Sequence, residues 1–556
     1  MSWEPRFVAG GVRFALWAPD ASAVAVEIDG GDGGAMTAEE DGWFAVVLPV
    51  GAGARYRFRV DDGLAVPDPA SRRQDGGVHG WSVVVDPAHD WRARDWTGRP
   101  WHETVLIELH VGVLGGFAGV AERLPELAAA GITAIELMPV GAFSGNRGWG
   151  YDGVLPYAVH EAYGTPESLR ALIDAAHGLG LSVFLDVVYN HFGPDGNYLG
   201  VYADAFFDAE RPTPWGGAVA VREPAVARYF VDNALMWLRD YRFDGLRFDA
   251  VHAIGDPAFL DAMAGEIRAA LPGRHVQLML ENEHNDAARI GGGLYDAQWN
   301  DDFHNVLHVL LTGETHGYYA DFADRPAERL ARCLAQGFIY QGEASPRGFT
   351  RGTPSAHLPP SAFVAFLQNH DQVGNRAMGE RLVSLVEPDR LRAATALLLL
   401  CPQIPMLFMG DLEGSPTPFL FFTDFHDELA DAVREGRRRE FAAFPAFADA
   451  SARAAIPDPN ARATFDASRP VAGDPAWGKL IRELIVVRRA VIVPGLEGAR
   501  GIGAAASGAA AVTARWRLGD GRVLGVAIDL GAVPGPLPQV EALWREGDRF
   551  VAWIEA

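Results

Sequence analysis

Eight short apolar runs, separated by stretches of helical periodicity, constrain the fold more than any other feature of the chain. They are Val105–Val111, Ala134–Val140, Val183–Tyr189, Gly245–Val251, Val276–Glu281, Ala297–Phe303, Phe363–Asn369 and Ile404–Met409. Strand-like runs alternating with helix-like segments are the pattern of β/α units on a parallel sheet, and eight of them are enough to close a barrel. Between the runs, Val120, Leu124 and Leu127 repeat at i, i+4 and i+7. Pro224 stands at a first helical position before Val226, Phe230 and Trp237. The predicted fold class is α/β, a (β/α)8 TIM barrel spanning 96–492.

The flanks have another periodicity. Val12–Ala18, Val24–Asp29, Trp43–Leu48 and Tyr56–Asp61 are short runs parted by Gly, Asp and Pro clusters, and Tyr-Arg-Phe-Arg-Val at 56–60 alternates as a half-buried antiparallel strand does. They predict an N-terminal β-sandwich over 1–95. Past a helix at 476–489, a Gly/Ala stretch at 501–511 precedes strands at 512–518, 523–530 and 550–555, with Gly-Asp-Gly-Arg at 519–522 as a hairpin turn. A small C-terminal β domain over 493–556 is the expectation.

Charge narrows the function classes. Against 48 Lys and Arg stand 72 Asp and Glu, a net charge of -24, which argues against nucleic acid or a membrane surface as partner. Neither cysteine, Cys333 or Cys401, has ligand spacing around it, and both read as buried small hydrophobes. No run approaches the ~18 apolar residues of a membrane helix, and the first residues lack a basic segment followed by an apolar core. A cytoplasmic enzyme without metal or cofactor is expected.

Three acids lie at or just past the ends of separate runs: Asp249 towards the end of the fourth, Glu281 at the end of the fifth and Asp371 after the seventh. Side chains at the C-terminal ends of barrel strands converge on one mouth, so these three can meet although they are far apart in sequence. Cleaving a sugar acetal needs an acid for the departing oxygen and a carboxylate for the anomeric carbon. Arg247, two residues before Asp249 and so on the same side of the strand, can hold that carboxyl ionised. Glu281 would be kept protonated by repulsion from Asp249 and Asp371. His191 and His370 stand where they can donate to sugar hydroxyls. Trp149, Tyr151, Tyr157, Tyr163, Trp215 and Trp299 supply faces for sugar rings, with Tyr157 the best placed.

Asp186-Val-Val-Tyr-Asn-His191, Arg247-Phe-Asp249, Glu281 and His370-Asp371 resemble the four signature regions of the α-amylase superfamily of retaining glycoside hydrolases. Glu108-Leu-His-Val-Gly, Glu136-Leu-Met-Pro-Val, Gly148-Trp-Gly-Tyr-Asp-Gly-Val, Gln298-Trp-Asn-Asp-Asp-Phe-His and Leu367-Gln-Asn-His-Asp-Gln-Val-Gly-Asn-Arg are similar, more narrowly, to the malto-oligosyltrehalose trehalohydrolase family. The resemblance implies release of trehalose from the end of a malto-oligosyltrehalose, and coupling to a synthase that makes that end. It implies Asp249 as nucleophile, Glu281 as general acid/base and Asp371 as transition-state stabiliser. Arg247, His191 and His370 would line the subsite of the attacked sugar with Tyr157 stacked on it, and His252, Asp302, His304, Gln372 and Asn375 would contact substrate. Asp186 would support the mouth from below. Two loops depart from the family pattern, Val113-Leu-Gly-Gly-Phe and Met409-Gly-Asp-Leu-Glu-Gly, and Phe248 stands where Leu is usual. A glucan branching or debranching enzyme, a general α-amylase and an inactive glucan-binding protein are the alternatives.

Overall fold

The computed structural model describes residues 3–213, 216–346 and 348–555. Eight parallel strands close a barrel: β1 (Leu106–Leu109), β2 (Ala134–Leu137), β3 (Ser182–Val187), β4 (Gly245–Phe248), β5 (Gln277–Leu280), β6 (Ala297–Trp299), β7 (Phe363–Phe366) and β8 (Ile404–Phe408). They pair in chain order, and β8 returns to β1 through Leu106↔Met406 and Ile107↔Leu407. All eight coincide with the apolar runs, but each is shorter. The sixth ends at Trp299 rather than Phe303, because residues 301–312 are helical.

The covering helices begin with α1 (Gly116–Ala130), α2 (Pro166–Gly178), α3 (Pro224–Leu235) and α4 (Pro257–Ala270). Between β5 and β6 the connection holds only a single 3-10 turn at Ala287–Arg289. After β6 come α5 (Asp301–Thr312) and α6 (Pro326–Gln336), and then α7 (Pro388–Leu400) and α8 (Pro475–Val487) flank β8. Pro at the first position opens α2, α3, α4, α6, α7 and α8, where its missing N–H costs no helical bond. None of these helices is long and apolar enough to cross a membrane.

Two antiparallel sheets form the N-terminal sandwich. One contains Gly11–Trp17 and Trp43–Leu48, the other Val24–Ile28 and Arg55–Val60, and Phe14 meets Tyr56 across the gap with ring centroids 4.7 Å apart. The fully buried Trp3 joins sandwich to barrel: its ring packs on Phe206 and Tyr229, and its Nε1 donates to Ala225 O at 3.2 Å. At the other end a five-stranded antiparallel sheet leans on α6, with Trp516 Nε1 donating to Leu334 O at 2.9 Å. The Gly/Ala stretch is part of this sheet, as the strand Arg500–Ala506. Its composition suits its place, since a Cβ at Gly501 would come within 2.2 Å of Ala335 O on α6.

Candidate active site

The floor of the mouth is a layer of charges on adjacent strands. Asp186 on β3 is paired in register with Arg247 on β4, and Arg247 Nη1 donates to Asp186 Oδ2 at 2.6 Å. Strand alternation points Asp249 to the same side as Arg247, and Nη1 also reaches Asp249 Oδ1 at 2.8 Å. The other arm, Nη2, donates to Glu281 Oε2 at 2.9 Å. Below, the guanidinium lies 4.2 Å from the ring centroid of Trp299 on β6, a cation–π contact that fixes its plane. Glu136 on β2 is buried with neither carboxyl oxygen hydrogen-bonded. Burial lifts its pKa far above the ordinary range, so it stands neutral beside the charged layer.

The two central acids are driven apart in protonation. Burial pushes the Asp249 carboxyl up, but Arg247, the Asn190 amide at 2.7 Å and His191 together outweigh it and leave the pKa below its usual value. Glu281 goes the other way. Burial lifts it well above the ordinary range, Arg247 opposes, and the charges of Asp249, Asp301 and Asp371 add to the rise. The like-charge repulsion read from the sequence is present, with desolvation as the larger cause. Ala250, between them in the chain, has a left-handed backbone at φ 40° and aims its N–H at Glu281 Oε2, 2.8 Å away. Such a conformation in a residue with a Cβ costs about 1–3 kcal/mol and is held here by the surrounding bonds.

Asp371 lies across the mouth, in the first turn of the short helix His370–Gly374 after β7. Its Oδ1 accepts from Asn375 Nδ2 at 2.8 Å. His370 is clamped by Glu108 of β1, which accepts from its backbone N–H at 2.8 Å and meets its Nδ1 at 2.5 Å. Burial alone would lower the His370 pKa; Glu108 reverses this and raises it to about 9, so the ring is an imidazolium at neutral pH. Tyr151 stacks on that ring at 5.0 Å and donates its hydroxyl to Asp186 Oδ2 at 2.6 Å, while His191 Nε2 bonds Tyr151 O at 3.0 Å. His252, Gln372 and Asn375 stand at the rim; His252 Nδ1 accepts from Glu283 N at 3.4 Å.

Three expected contacts are placed elsewhere. Tyr157 is fully buried in the strand Gly153–Val159 outside the barrel, donating its hydroxyl to Tyr229 O at 2.5 Å, and Tyr151 is the aromatic that borders the acids. Asp302 has no exposed surface: it takes Asn285 Nδ2 at 2.9 Å, Ile339 N at 2.7 Å and the guanidinium of Arg351 at 3.1 Å. It ties the β5 loop to the chain beyond α6. His304 is buried against Phe366, its Nδ1 2.6 Å from Leu367 O, and burial pulls its pKa to about 3. Because β6 stops at Trp299, the helical turn carries Asp302 and His304 into the protein and leaves Asp301 at the mouth. Trp215 falls outside the described residues.

Residues missed as site members are Asp301, Glu108 and Asn190, while Tyr151, read as one of six candidate ring faces, takes the place beside the acids expected of Tyr157. A charged residue inside an apolar barrel run was a readable signal for Glu108. Asp301 also lies inside a barrel run, but whether it faces the mouth depends on where β6 ends. In the altered loop after β8, Asp411 accepts from Phe408 N at 2.9 Å and Gln368 Nε2 at 2.7 Å, fastening that loop to the one after β7.

Residues 71–205 match the family model described as alpha amylase, catalytic domain, and residues 499–549 match a domain of unknown function, DUF3459. A malto-oligosyltrehalose trehalohydrolase of Deinococcus radiodurans is 45% identical over 470 residues, covering 82% of this chain and 76% of that protein. One from Arthrobacter ramosus is 41% identical over 552 residues, 91% of this chain and 93% of its own. Among solved structures, a putative alpha amylase from Salmonella typhimurium superposes with a TM-score of 0.94 at 44% identity, covering 100% of both chains. With the charged layer of Asp186, Arg247, Asp249 and Glu281 in its barrel mouth, this chain belongs to the malto-oligosyltrehalose trehalohydrolase family of the α-amylase superfamily.

Proposed function

We propose that this enzyme hydrolyses the α-1,4 bond next to the trehalosyl end of malto-oligosyltrehalose, releasing trehalose and a shortened maltodextrin. The observation that carries the reading is the Arg247 fork, which binds Asp249 through one arm and Glu281 through the other while their pKa values move in opposite directions. Ionised Asp249 attacks the anomeric carbon and Glu281 delivers its proton to the departing oxygen, so trehalose leaves as a neutral alcohol. Water then enters, Glu281 takes its proton, and the Asp249 ester is released with the α-configuration kept. Two carboxyls drawn onto one guanidinium suit the separation of about 5–5.5 Å that double displacement needs.

In this reading Asp371 stabilises the positive charge that develops on the sugar. Tyr151 offers its ring face, and His191, Arg247 and the His370 imidazolium bind hydroxyls of the attacked sugar, with His252, Gln372 and Asn375 at the rim. The chemistry calls for no metal or cofactor. A synthase that converts the reducing end of maltodextrin to a trehalosyl unit would supply the substrate, and the cytoplasm is the compartment the sequence favours. Incubation with maltohexaose and, separately, its trehalosyl-ended counterpart tests the reading. Fast trehalose release from the second alone supports it; equal cleavage of both reduces it to a general amylase, and new or lost α-1,6 linkages would indicate a branching or debranching enzyme.

A further inference from the structure

The carboxyl of Asp371 is placed by main chain more than by side-chain contacts. It is 48% exposed and, among the described residues, its hydrogen bond comes from Asn375 Nδ2 at 2.8 Å, a residue of the same turn. The helix that carries it, His370–Gly374, is little more than one turn, too short to be stable by itself. Its N-terminal end is capped, with Asn369 Oδ1 accepting from Asp371 N at 2.9 Å and from Gln372 N at 3.3 Å. Its C-terminal end is not closed within its own loop. Among the described residues no main-chain amide donates to Gly374 O, one of the carbonyls that a helix end leaves open.

A distant part of the chain supplies the donor. After β8 comes the helix Asp427–Glu440, in which Arg437 is the one buried side chain of 14 residues. Its Nη2 donates to Gly374 O at 2.8 Å and to Arg376 O at 3.0 Å, and the guanidinium lies 5.3 Å and 4.7 Å from the ring centroids of Phe421 and Phe441. Its ion-pair partner Glu440, 3.2 Å from Nη1, is 55% exposed. Burying a guanidinium is costly, and one exposed acid offsets little of that cost. The two carbonyls offset more, and a cation suits the negative end of a helix. Glu108 holds the start of the turn through His370, and Glu314 takes the Arg376 guanidinium at 2.7 and 3.0 Å. Arg437 is the side chain that holds the main chain at the far end.

We propose that Arg437 is a positioning residue for the reaction: by binding the Gly374 and Arg376 carbonyls it fixes the turn that aims Asp371 at the sugar under attack. The assignment rests on the role given to Asp371 above. Because Arg437 acts through Asp371, its loss must appear in turnover, and only while Asp371 is present. Arg437→Ala and Arg437→Lys are compared in the parent and in Asp371→Asn, with kcat and KM measured on a trehalosyl-ended maltodextrin. In the parent, Arg437→Ala is expected to lower kcat about 50-fold with KM held within about three-fold. Arg437→Lys, which keeps the charge and can reach one carbonyl, should lose about five-fold. Asp371→Asn alone should lose about 1000-fold, and either Arg437 variant added to it less than about three-fold more.

Losses that multiply, so that Arg437→Ala costs Asp371→Asn the same factor of about 50 as the parent, overturn the proposal. A raised KM with kcat unchanged also overturns it, since Arg437 would then serve substrate binding, and so does a kcat of Arg437→Ala within about two-fold of the parent. Thermal unfolding of Arg437→Lys within a few degrees of the parent separates a misaimed turn from a loosened fold. If Arg437→Ala does not fold, the Lys variant carries the same comparison. Near-normal turnover of Asp371→Asn would refute the role of Asp371 itself, and the proposal with it. If the parent cuts maltohexaose as fast as the trehalosyl-ended chain, the substrate proposed above is wrong. The same four-way comparison, measured with maltohexaose, still decides the role of Arg437.

Discussion

The two sides of the barrel mouth are built differently. Around β3, β4 and β5 the carboxyls are largely buried and multiply bonded: Asp186 by Tyr151 and Arg247, Asp249 by Asn190 and Arg247, Glu281 by Arg247 and the Ala250 amide. Around β6 and β7 the acids are loosely held. The Asp371 side chain is 48% exposed and Asp301 has a single long bond, although Glu108 fixes His370 firmly beside them. In the proposed reaction the first side must keep charges in place while a sugar is transferred to Asp249, and dipoles already oriented before the reaction do this at no cost during it. The second must admit and release a sugar, and groups already satisfied by the protein could not bind one.

Removing Asp249, the proposed nucleophile, strikes the buried side hardest. Asp249→Ala is expected to lower kcat by roughly 10⁴-fold or more, with an unchanged circular dichroism spectrum. Near-normal turnover would show that the bonded side is scaffold only.

A smaller effect is expected where Glu108 of β1 links the floor of the barrel to the loop after β7. His370 has a folded pKa of about 9, raised above its ordinary value. The pair's stabilisation is therefore fully present below about pH 6.5 and is lost as pH rises through about 9. It amounts to roughly 3 kcal/mol at most. Glu108→Gln should flatten that loss in denaturant titrations run from pH 6.5 to 9.5; a slope equal to the parent's would disconnect the two sides.

Tyr157 belongs to neither side and sets the baseline. Tyr157→Phe removes one buried hydroxyl bond, and about 1 kcal/mol of unfolding free energy should go with it while kcat stays within two-fold. A ten-fold loss of kcat would return this ring to the cleft.

Much of the buried side was legible because strand geometry is simple. Residues two apart on a strand share a face, so Arg247 and Asp249 had to point together, and residues at strand ends had to reach the mouth. The β6–α5 junction was not legible for the converse reason. In the run 297–303 four of seven residues are polar, so no apolar alternation marks where strand gives way to helix, and the change after Trp299 alters the period from 2 to 3.6 and redirects each following side chain. Asp302 and His304 were misplaced on that account and Asp301 was overlooked. Tyr157 was misplaced because an aromatic near a loop gives no sign of the second layer, here Tyr229 on α3, that covers it.

By itself the sequence determined the barrel, the two β-rich flanks, the three acids and the family, since each follows from local periodicity or from a contiguous motif. Tertiary structure alone decided which side chains are dry. Burial, invisible in any run of residues, is the larger reason Glu281 is protonated, and the contacts made across strands by Arg247 and Glu108 set the charges of Asp249 and His370. A pKa depends on the distance to neighbouring charges and to water, and both are properties of the folded chain.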